Sequence, residues 1–332
     1  MTGTIGSESE LIQTYLAPLA RRTPGALGLS DDCGVLVVPP GVELIVTTDA
    51  IAAGVHFLND DAANDIAWKA LAVNVSDLAA KGAVPLAYQM ALSFPEAPHH
   101  DWLRGFASGL DEAQAAFGIG LLGGDTDRRP GPLTITITAF GYAAKGRMVL
   151  RSGARPGDVI FVSGTLGDGA LGLQIRLQPA AAVNWHLTSS EAYDLGRRYL
   201  RPDPRLRLGP ALLDYATAAM DISDGLMKDL SRMCGASHVG ARLEIASIPL
   251  SQGACTVVTN DPSQMSRIVS GGDDYEILCT VLPENTDGFL SAAHACGIDV
   301  ARIGTIVPGG GVCLYDADGQ PVQLAGAGWD HF

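Results

Sequence analysis

The stretches ELIVTTDAIAAGVHF, residues 43–57, and DIAWKALAVNVSDLAAKGA, residues 65–83, predict a strand that is followed by a long helix. The first contains an apolar run, Leu44–Thr48, that ends at Asp49, which is typical of a strand with a polar residue at its end. The second predicts a helix over residues 65–81, because four residues spaced by four, three and four positions share one helix face. These four are Ile66, Ala70, Val73 and Asp77.

The alternation of strand and helix extends through the first half of the chain. Apolar residues at helical spacing predict an N-terminal helix, and the alternating TITIT pattern predicts a half-buried strand. The predicted helices are 8–22, 65–81 and 99–117, and the predicted strands are Val35–Val38, Leu44–Thr48, Gln89–Ser93, Ile119–Leu122 and Leu133–Tyr142, with a Pro-Pro-Gly turn between the first two.

The segment LRSGARPGD, residues 150–158, is rich in glycine, proline and charge, and we predict a domain boundary there. A second block of strands and helices follows it. Its predicted elements are the strand Val159–Ser163, the glycine-rich turn 164–172 with a helix after it, helices over 189–219 and 225–234, a strand after GGDDY, and two C-terminal strands at 300–307 and around a DADG turn. We therefore expect an α/β (α+β) fold with two domains, 1–149 and 150–332.

Composition excludes several classes of function. The chain has 332 residues, of which 47% are hydrophobic, and a formal net charge of −14. This charge disfavours a nucleic-acid binder and adsorption to an anionic membrane, although metal can still bridge an acidic protein to a nucleotide. No signal peptide and no apolar run of about 18 residues is evident, so we expect a soluble cytoplasmic protein.

Six cysteines are widely separated, without a CxxC pair. We expect them to be reduced core residues rather than a zinc site or a disulfide framework. They are Cys33, Cys234, Cys255, Cys279, Cys296 and Cys313.

Six aspartates lie at the ends of apolar runs, and the chain offers few lysines to pair with them. They are Asp32, Asp49, Asp77, Asp125, Asp221 and Asp224. Two carboxylates at ~4 Å repel by about 4 kcal/mol at an effective dielectric near 20, so a convergent cluster requires cations. Oxygen ligands select Mg²⁺, Mn²⁺ or Ca²⁺ over zinc, and Mg²⁺ joins carboxylates to substrate phosphates. If the six converge, the sequence predicts phosphoryl transfer.

Each motif also has a simpler interpretation when it is considered alone. Asp49 could simply form a turn, and Asp77 could be a structural carboxylate with a hydrogen-bonding partner in the protein. GGDTD (123–127) could be an ordinary glycine-rich turn. Ser223 in DISDGL could cap the following helix, although a cap leaves Asp221 without a role. The turn 164–172 could hold phosphates or simply join a strand to a helix. Considered alone, Arg151 could be a solvent-exposed arginine of the linker, and His56 could pack within its loop.

Nine motifs occur in an order that resembles the thiamine-monophosphate kinases, and the resemblance covers essentially the whole chain. They are GLSDDCG, TTDAIAAGVHF, WKALAVNVSDLAAKGA, LLGGDTD, LRSGARPGD, GTLGDGALGL, MDISDGLMKDL, SGGDDYEIL and GWDHF. The resemblance implies an aminoimidazole ribonucleotide synthetase-like fold with an N-terminal domain that dimerises through its sheet and a C-terminal α/β domain. It also implies ATP-dependent phosphorylation of thiamine monophosphate to thiamine diphosphate.

The same resemblance implies roles for individual residues. Several Mg²⁺ ions would be held by Asp32, Thr47, Thr48, Asp49, Asp77, Asp125, Asp221 and Asp224. ATP would be contacted by Gly124, Asp125, Arg151 and Ser223, and the thiamine substrate by His56, Asp273 and Trp329. An aromatic Trp329 suits stacking on a cationic ring. The implied partners are ATP, thiamine monophosphate and a second copy of the chain, with Mg²⁺ as cofactor and K⁺ as an open alternative.

Two departures from the family pattern accompany this resemblance. Asp273 in GGDD stands where the family usually has glutamate, and Asp127 begins a longer, more basic turn than the family's GGDTT loop. Three rivals remain at this point: another ATP-using synthetase of the superfamily, a metal-dependent phosphohydrolase, and a non-catalytic Ca²⁺-binding protein. Dispersed carboxylates without a DxDxDG-type loop disfavour the last.

Overall fold

A computed structural model describes residues 3–322. The chain forms two compact units. The first consists of the residues up to Leu78 together with Ala83–Gly146, and the second of Ala79–Gly82 together with the residues from Arg147 onward.

The first unit contains a four-stranded sheet in the order β1-β4-β2-β3. The edge strand β3 pairs in parallel with β2, whereas β4 runs antiparallel to both β1 and β2. The strands are β1 (Val42–Ala52), β2 (Val84–Phe94), β3 (Gly120–Arg128) and β4 (Thr134–Ala144), and the helices are α1 (Glu8–Leu11), α2 (Ala63–Ala80) and α3 (His100–Phe117). The last two residues of α2 are assigned to the second unit.

One face of this sheet packs against α2. The side chain of Leu78 lies against Gly141 of β4, and along β1 the residues Ile45 and Ile51 are buried. Because successive side chains of a strand alternate between faces, Leu44 and Val46 lie on the opposite face, where their exposure is 42% and 53%. The sheet therefore has one packed face and one exposed face with apolar residues.

The second unit contains a six-stranded sheet in the order β10-β7-β9-β5-β8-β6. Among the described strands of this sheet, only β10 and β7 pair in parallel, and the other neighbours are antiparallel. The strands are β5 (Val159–Ser163), β6 (Ala216–Ile222), β7 (Gly240–Glu244), β8 (Glu276–Val281), β9 (Val300–Val307) and β10 (Val312–Tyr315). The helices are α4 (Asp168–Leu177), α5 (Ala180–Asn184), α6 (Ser189–Leu200), α7 (Gly209–Tyr215), α8 (Leu226–Ser237), α9 (Gln252–Asn260), α10 (Gln264–Ser270) and α11 (Thr286–Ala295).

The central strands β5 and β8 are buried along their whole length, which agrees with their mainly apolar sequences VIFVS and EILCTV. Alternate residues enter two separate cores. Ile160 and Val162 pack with Leu230 of α8 on one face, whereas Phe161 packs on the other face, where its ring meets that of Phe289 at 5.1 Å. The second sheet is thus covered on both faces.

Most predicted elements are confirmed, including the helices over 65–81 and 99–117 and the strand Val159–Ser163. The predicted N-terminal helix is helical but irregular, because α1 continues as a π-turn (Ile12–Leu16) and then a 3₁₀ segment (Leu19–Arg22). The predicted strand Val35–Val38 is wrong: these residues form no strand, and Val35 and Val37 are exposed.

Three further predictions need correction. The predicted helical stretch 189–219 is interrupted between Leu200 and Leu206, and it ends at Tyr215 because residues from Ala216 pair with β8. GGDTD lies inside β3 rather than in a turn. All six cysteines are free, as predicted, but only Cys234 and Cys279 are buried, whereas Cys296 is half-buried and Cys33, Cys255 and Cys313 are exposed.

Within residues 3–322, none of the helices combines the length and the apolar composition that a membrane span requires.

Candidate functional site

Two carboxylates lie where β1 packs against α2 in the first unit. The hydroxyl of Thr47 donates a 2.5 Å hydrogen bond to the Asp77 carboxylate, and the backbone N–H of Asp49 donates a 3.0 Å bond to the Asn74 side chain. Strand alternation directs Thr47 and Asp49 to the same face, and helical spacing places Asn74 one turn from Asp77. The structure therefore brings Thr47 against Asp77 and holds Asp49 beside Asn74 of the same helix. Their metal-binding roles stay a prediction.

Thr48 lies on the opposite face of β1. Its hydroxyl contacts the carbonyl oxygen of Ile137 at 3.0 Å and the hydroxyl of Thr138 at 3.1 Å, both on β4. The sheet therefore separates its hydroxyl from the side chains of Thr47 and Asp49. The metal-binding role of Thr48 stays a prediction.

The predicted ATP-binding residues Gly124 and Asp125 lie on β3, at the other edge of the sheet. A Cβ atom at Gly124 would lie 1.8 Å from the carbonyl oxygen of Met90, so only glycine permits this approach to β2. The Asp125 carboxylate accepts a 2.9 Å bond from the N–H of Thr126, whose hydroxyl donates in turn to Glu8 of α1 at 2.8 Å.

The strand register separates Asp49 from Asp125. Asp49 pairs with Ile137 on β4, Ile137 pairs with Met90 on β2, and Met90 pairs with Gly124 on β3. Three strand spacings of ~4.8 Å amount to about 14 Å, whereas Mg²⁺ binds oxygens at about 2.1 Å. One ion cannot therefore bind both carboxylates.

Three other predicted residues lie in loops. Asp32 and Arg151 are exposed. His56 is half-buried, and its Nδ1 accepts a 3.1 Å bond from the N–H of Ala52, which leaves the ring proton on Nε2. This contact supports the loop-packing interpretation of His56, and its role in substrate binding stays a prediction. Trp329 lies outside the described residues.

The DISDGL loop of the second unit joins β6 to α8. Asp221 is buried near the end of β6. The capping interpretation of Ser223 is wrong, because α8 begins after Gly225 and no side chain caps it. Instead, one oxygen of the fully buried Asp229 accepts the N–H groups of both Ser223 (3.0 Å) and Asp224 (2.9 Å). Burial raises the pKa of Asp229 against the opposing effect of these bonds.

Asp224 pairs with two cations of α8. Its Oδ2 lies 2.6 Å from Nη1 of Arg232 and 3.6 Å from Nζ of Lys228. Metal binding by Asp224, which the sequence predicted, would compete with these ion pairs.

The GGDDY loop packs directly against the DISDGL loop. The N–H of Asp273 donates to the carbonyl oxygen of Ser223 at 3.0 Å, and the N–H of Tyr275 donates to that of Ile222 at 2.8 Å. Asp273 adopts a left-handed backbone conformation with φ of 71°, and its carboxylate accepts a bond from the Tyr275 hydroxyl. The structure thus brings Ser223 and Asp273 together.

The glycine-rich turn 164–172 is held by a carboxylate of the chain itself. Asp274 is buried and accepts the N–H of Gly167 at 2.8 Å and of Gly169 at 3.3 Å. Burial raises the pKa of Asp274 well above its usual range. The backbone groups that could have bound phosphate are occupied, which favours the strand-to-helix turn interpretation.

Sequence reasoning missed a buried ion cluster beside these loops. Glu276 is fully buried and binds Arg198 at 2.7 Å, Arg205 through two nitrogens at 2.5 and 2.8 Å, and the Ser163 hydroxyl at 2.6 Å. Arg198 also donates to the carbonyl oxygen of Asp274. Glu276 follows Asp273 and Asp274 closely in the chain, but nothing in the sequence pairs it with α6.

Within residues 3–322, no group of three or more His, Cys, Asp or Glu side chains is arranged to hold a metal ion. The β1–α2 pair still fits Mg²⁺, because this ion commonly uses one or two carboxylates and takes its other ligands from waters and substrate phosphates. Asp49 and Asp77, with the Thr47 hydroxyl, supply hard oxygen ligands of this kind.

Two family models match most of the chain. The family model of the AIR synthase related protein N-terminal domain matches residues 30–143, and that of the C-terminal domain matches residues 155–316. The chain is 42% identical to a thiamine-monophosphate kinase of Caulobacter vibrioides over 98% of this chain and 91% of that protein. It is 43% identical to that of Escherichia coli K12 over 98% of each.

Solved structures give the same result. The thiamine-monophosphate kinase of Stenotrophomonas maltophilia K279a is similar with a TM-score of 0.83 and 36% identity, over 97% of this chain and 99% of that one. The structure of AaThiL complexed with AMPPCP and TMP is similar with a TM-score of 0.77 and 31% identity, over 89% of each. The chain therefore belongs to the AIR synthase related proteins and, within them, to the thiamine-monophosphate kinase family of enzymes.

Proposed function

We propose that this protein catalyses the ATP-dependent phosphorylation of thiamine monophosphate to thiamine diphosphate. The observation that carries this proposal is the similarity to thiamine-monophosphate kinases along nearly the whole chain. The complex of AaThiL with AMPPCP and TMP supports the use of a nucleotide and a monophosphate together.

We propose direct in-line transfer from ATP to the substrate. The acceptor is a phosphate oxygen that is already ionised near neutral pH, so the reaction needs no strong general base and no phosphorylated side chain. The main task of the protein is to position two anions that repel one another. A chain with a net charge of −14 needs cations for this task.

Thr47, Asp49 and Asp77 are the proposed ligands that the structure supports best. Bound Mg²⁺ would neutralise charge on the phosphoryl oxygens. The Asn74 side chain holds the backbone at Asp49, and Thr47 orients the Asp77 carboxylate. Asp125, about 14 Å away by strand spacing, would bind a separate ion, which agrees with the several ions proposed.

The other proposed roles follow from the family resemblance. Asp32, Thr48, Asp221 and Asp224 would contribute to metal binding. Gly124, Asp125, Arg151 and Ser223 would contact ATP, and His56, Asp273 and Trp329 would contact thiamine monophosphate.

We also propose that the protein is a homodimer that forms through the sheet of the first unit. The exposed face of this sheet carries Leu44 and Val46 on β1 and Val84 on β2, each 42–53% exposed. Burying such apolar residues favours association. Light scattering should give a dimer for the wild type and a monomer for Val46→Glu; a dimeric variant would contradict this interface. A cytoplasmic location and a K⁺ requirement stay predictions.

The activity is tested by incubating the protein with Mg²⁺, ATP and thiamine monophosphate, with and without K⁺, and measuring thiamine diphosphate. Stoichiometric ADP and thiamine diphosphate are expected. Release of phosphate without an acceptor product would favour a phosphohydrolase, and absence of product under all conditions would overturn the proposal. A panel of other phosphate acceptors and carboxamide substrates separates the kinase from a related synthetase.

A further inference from the structure

Helix α8 carries two cations on the side that faces the DISDGL loop. Lys228 and Arg232 lie one helical turn apart and both approach the same oxygen, Oδ2 of Asp224, at 3.6 and 2.6 Å. The whole chain contains only four lysines, and its acidic side chains outnumber the basic ones by 36 to 22. Basic side chains are therefore a minority in this chain, and these two lie next to a predicted site for anionic substrates.

Arg232 is held by two carboxylates through a single nitrogen. Its Nη1 lies 2.6 Å from Asp224 and 2.8 Å from Oδ1 of Asp229. Among residues 3–322, no acceptor lies within hydrogen-bond distance of its Nε or Nη2. The side chain is 41% exposed. Arg232 thus keeps the part of its guanidinium that forms forked bonds with phosphate oxygens.

The anchor of Arg232 is rigid. Asp229 is fully buried, and its second oxygen holds the N–H groups of Ser223 and Asp224. The same carboxylate therefore fixes both the loop that is predicted to contact ATP and the guanidinium beside it. A cation that is positioned before a ligand arrives loses little conformational entropy on binding.

We propose that Arg232, with Lys228 beside it, binds a phosphate group of one of the two substrates. This inference rests on the proposed kinase function and adds two residues to its site. The shared chemistry is a phosphoanion, which comes either from ATP or from thiamine monophosphate. Asp224 and Asp229 hold the guanidinium in place through Nη1, and Nε and Nη2 donate to the phosphate oxygens.

The test is steady-state kinetics of Arg232→Gln, with KM measured separately for ATP and for thiamine monophosphate. Loss of one charge-assisted contact should raise one KM at least about tenfold, which corresponds to about 1.4 kcal/mol. A raised KM for ATP assigns the contact to the nucleotide, and a raised KM for thiamine monophosphate assigns it to the acceptor. Calorimetric titration with AMPPCP and Mg²⁺ in the absence of acceptor should reproduce the first outcome.

Two further variants separate a phosphate contact from simple charge balance. Arg232→Lys keeps the positive charge near Asp224 but lacks the fork, so its KM should stay raised. Arg147→Gln is the matched control, because Arg147 is an exposed arginine of the same unit that pairs with Asp214 at 3.2 Å. Its KM values should equal those of the wild type.

Unchanged KM values in Arg232→Gln would overturn the inference, and so would full recovery in Arg232→Lys. Either result leaves the kinase assignment intact if thiamine diphosphate is still formed. An inactive wild-type protein, by contrast, would contradict the proposed function itself. If Arg232→Gln does not fold, Lys228→Gln tests the same phosphate contact, with an expected rise of at least about threefold in the same KM.

Discussion

The two units position their predicted site residues in different ways. In the first unit, Thr47, Asp49 and Asp77 meet because β1 alternates its side chains and α2 repeats every 3.6 residues. In the second unit, Ser223 and Asp273 meet because two loops exchange backbone hydrogen bonds and buried aspartates hold those loops. The first arrangement depends on periodicity within elements, and the second depends on tertiary contacts between distant parts of the chain.

This difference has a consequence for substitution. Side chains on a strand and a helix can be exchanged with little change in the backbone that presents them. A loop that is held by one buried carboxylate loses its geometry when that carboxylate is removed. We therefore expect variants of the first unit to lose activity while keeping stability, and variants of the second unit to lose both.

The largest expected effect is on turnover in the first unit. Asp49→Asn and Asp77→Asn each remove one negative charge but keep the side-chain volume, and asparagine at 77 can still accept the Thr47 hydroxyl. We expect kcat to fall at least about 100-fold, as when one preorganised electrostatic group is lost, with a melting temperature close to that of the wild type.

Asp111→Asn is the control for these two variants. Asp111 is an exposed aspartate of the same unit that pairs with Arg22 at 3.1 Å. Its removal should leave kcat unchanged. Full activity in Asp49→Asn or Asp77→Asn would refute the role of that residue.

The next effect is on stability in the second unit. Asp229→Ala leaves the N–H groups of Ser223 and Asp224 without their acceptor and Arg232 without one of its partners. We expect the free energy of unfolding to fall by about 3 kcal/mol, since each buried unsatisfied group costs about 1–3 kcal/mol. Asparagine should restore part of this loss, because its side-chain oxygen still accepts.

Hydrogen exchange separates this local effect from a general loss of stability. The amides of Ser223 and Asp224 should exchange faster in Asp229→Ala under conditions where the protein stays folded. Asp158→Ala serves as the control, because Asp158 is a buried aspartate that accepts hydrogen bonds from the N–H of Arg155 and from the Thr217 hydroxyl instead. Equal exchange at 223–224 in both variants would mean that Asp229 does not anchor the loop.

A smaller effect concerns Asp274 and pH. Burial raises the pKa of this carboxyl well above its usual range, so the folded state retains a proton that the unfolded state has already released. The stability contributed by this group is therefore complete below the unfolded pKa of about 3.9 and is lost as pH rises toward the folded pKa, by up to about 1.4 kcal/mol per pH unit.

Asp274→Asn removes this titration. Urea unfolding of both proteins from pH 4 to pH 8 should show the wild type losing stability relative to the variant as pH rises. A difference that stays constant, or that grows in favour of the wild type, would show that Asp274 is ionised in the folded protein throughout this range.

The same distinction explains what could be predicted from the sequence. Helices such as 65–81 and strands such as Val159–Ser163 follow from periodicity and apolar runs. The grouping of Thr47 with Asp77, by contrast, is implied only by the family resemblance. Val35–Val38 has strand-forming residues but no neighbouring strand to pair with, so propensity alone gave the wrong result.

The contacts of the predicted site residues in the second unit were harder to predict from the sequence. Asp229 occupies an ordinary helical position, and only the fold shows that its carboxylate reaches back to the N–H groups before the helix. Glu276 lies in a mainly apolar strand, where a charged residue indicates that a buried partner exists but not which residue it is. Its partners Arg198 and Arg205 precede it by more than 70 residues. Long-range pairs of this kind have no periodic signature.

The smallest expected effect is at Asp273, where the family usually has glutamate. Its left-handed φ of 71° is tolerated better by aspartate than by longer residues, so Asp273→Glu should cost no more than about 1 kcal/mol of stability.

The glutamate side chain at position 273 would reach about 1.5 Å farther than aspartate. If this side chain contacts thiamine monophosphate, the KM for that substrate should change about two- to fivefold, a shift of up to about 1 kcal/mol, while the KM for ATP stays constant. Asp316→Glu, in an exposed turn of the same unit, should change neither KM. A change in the KM for ATP alone would move Asp273 from the acceptor side of the proposed site to the nucleotide side.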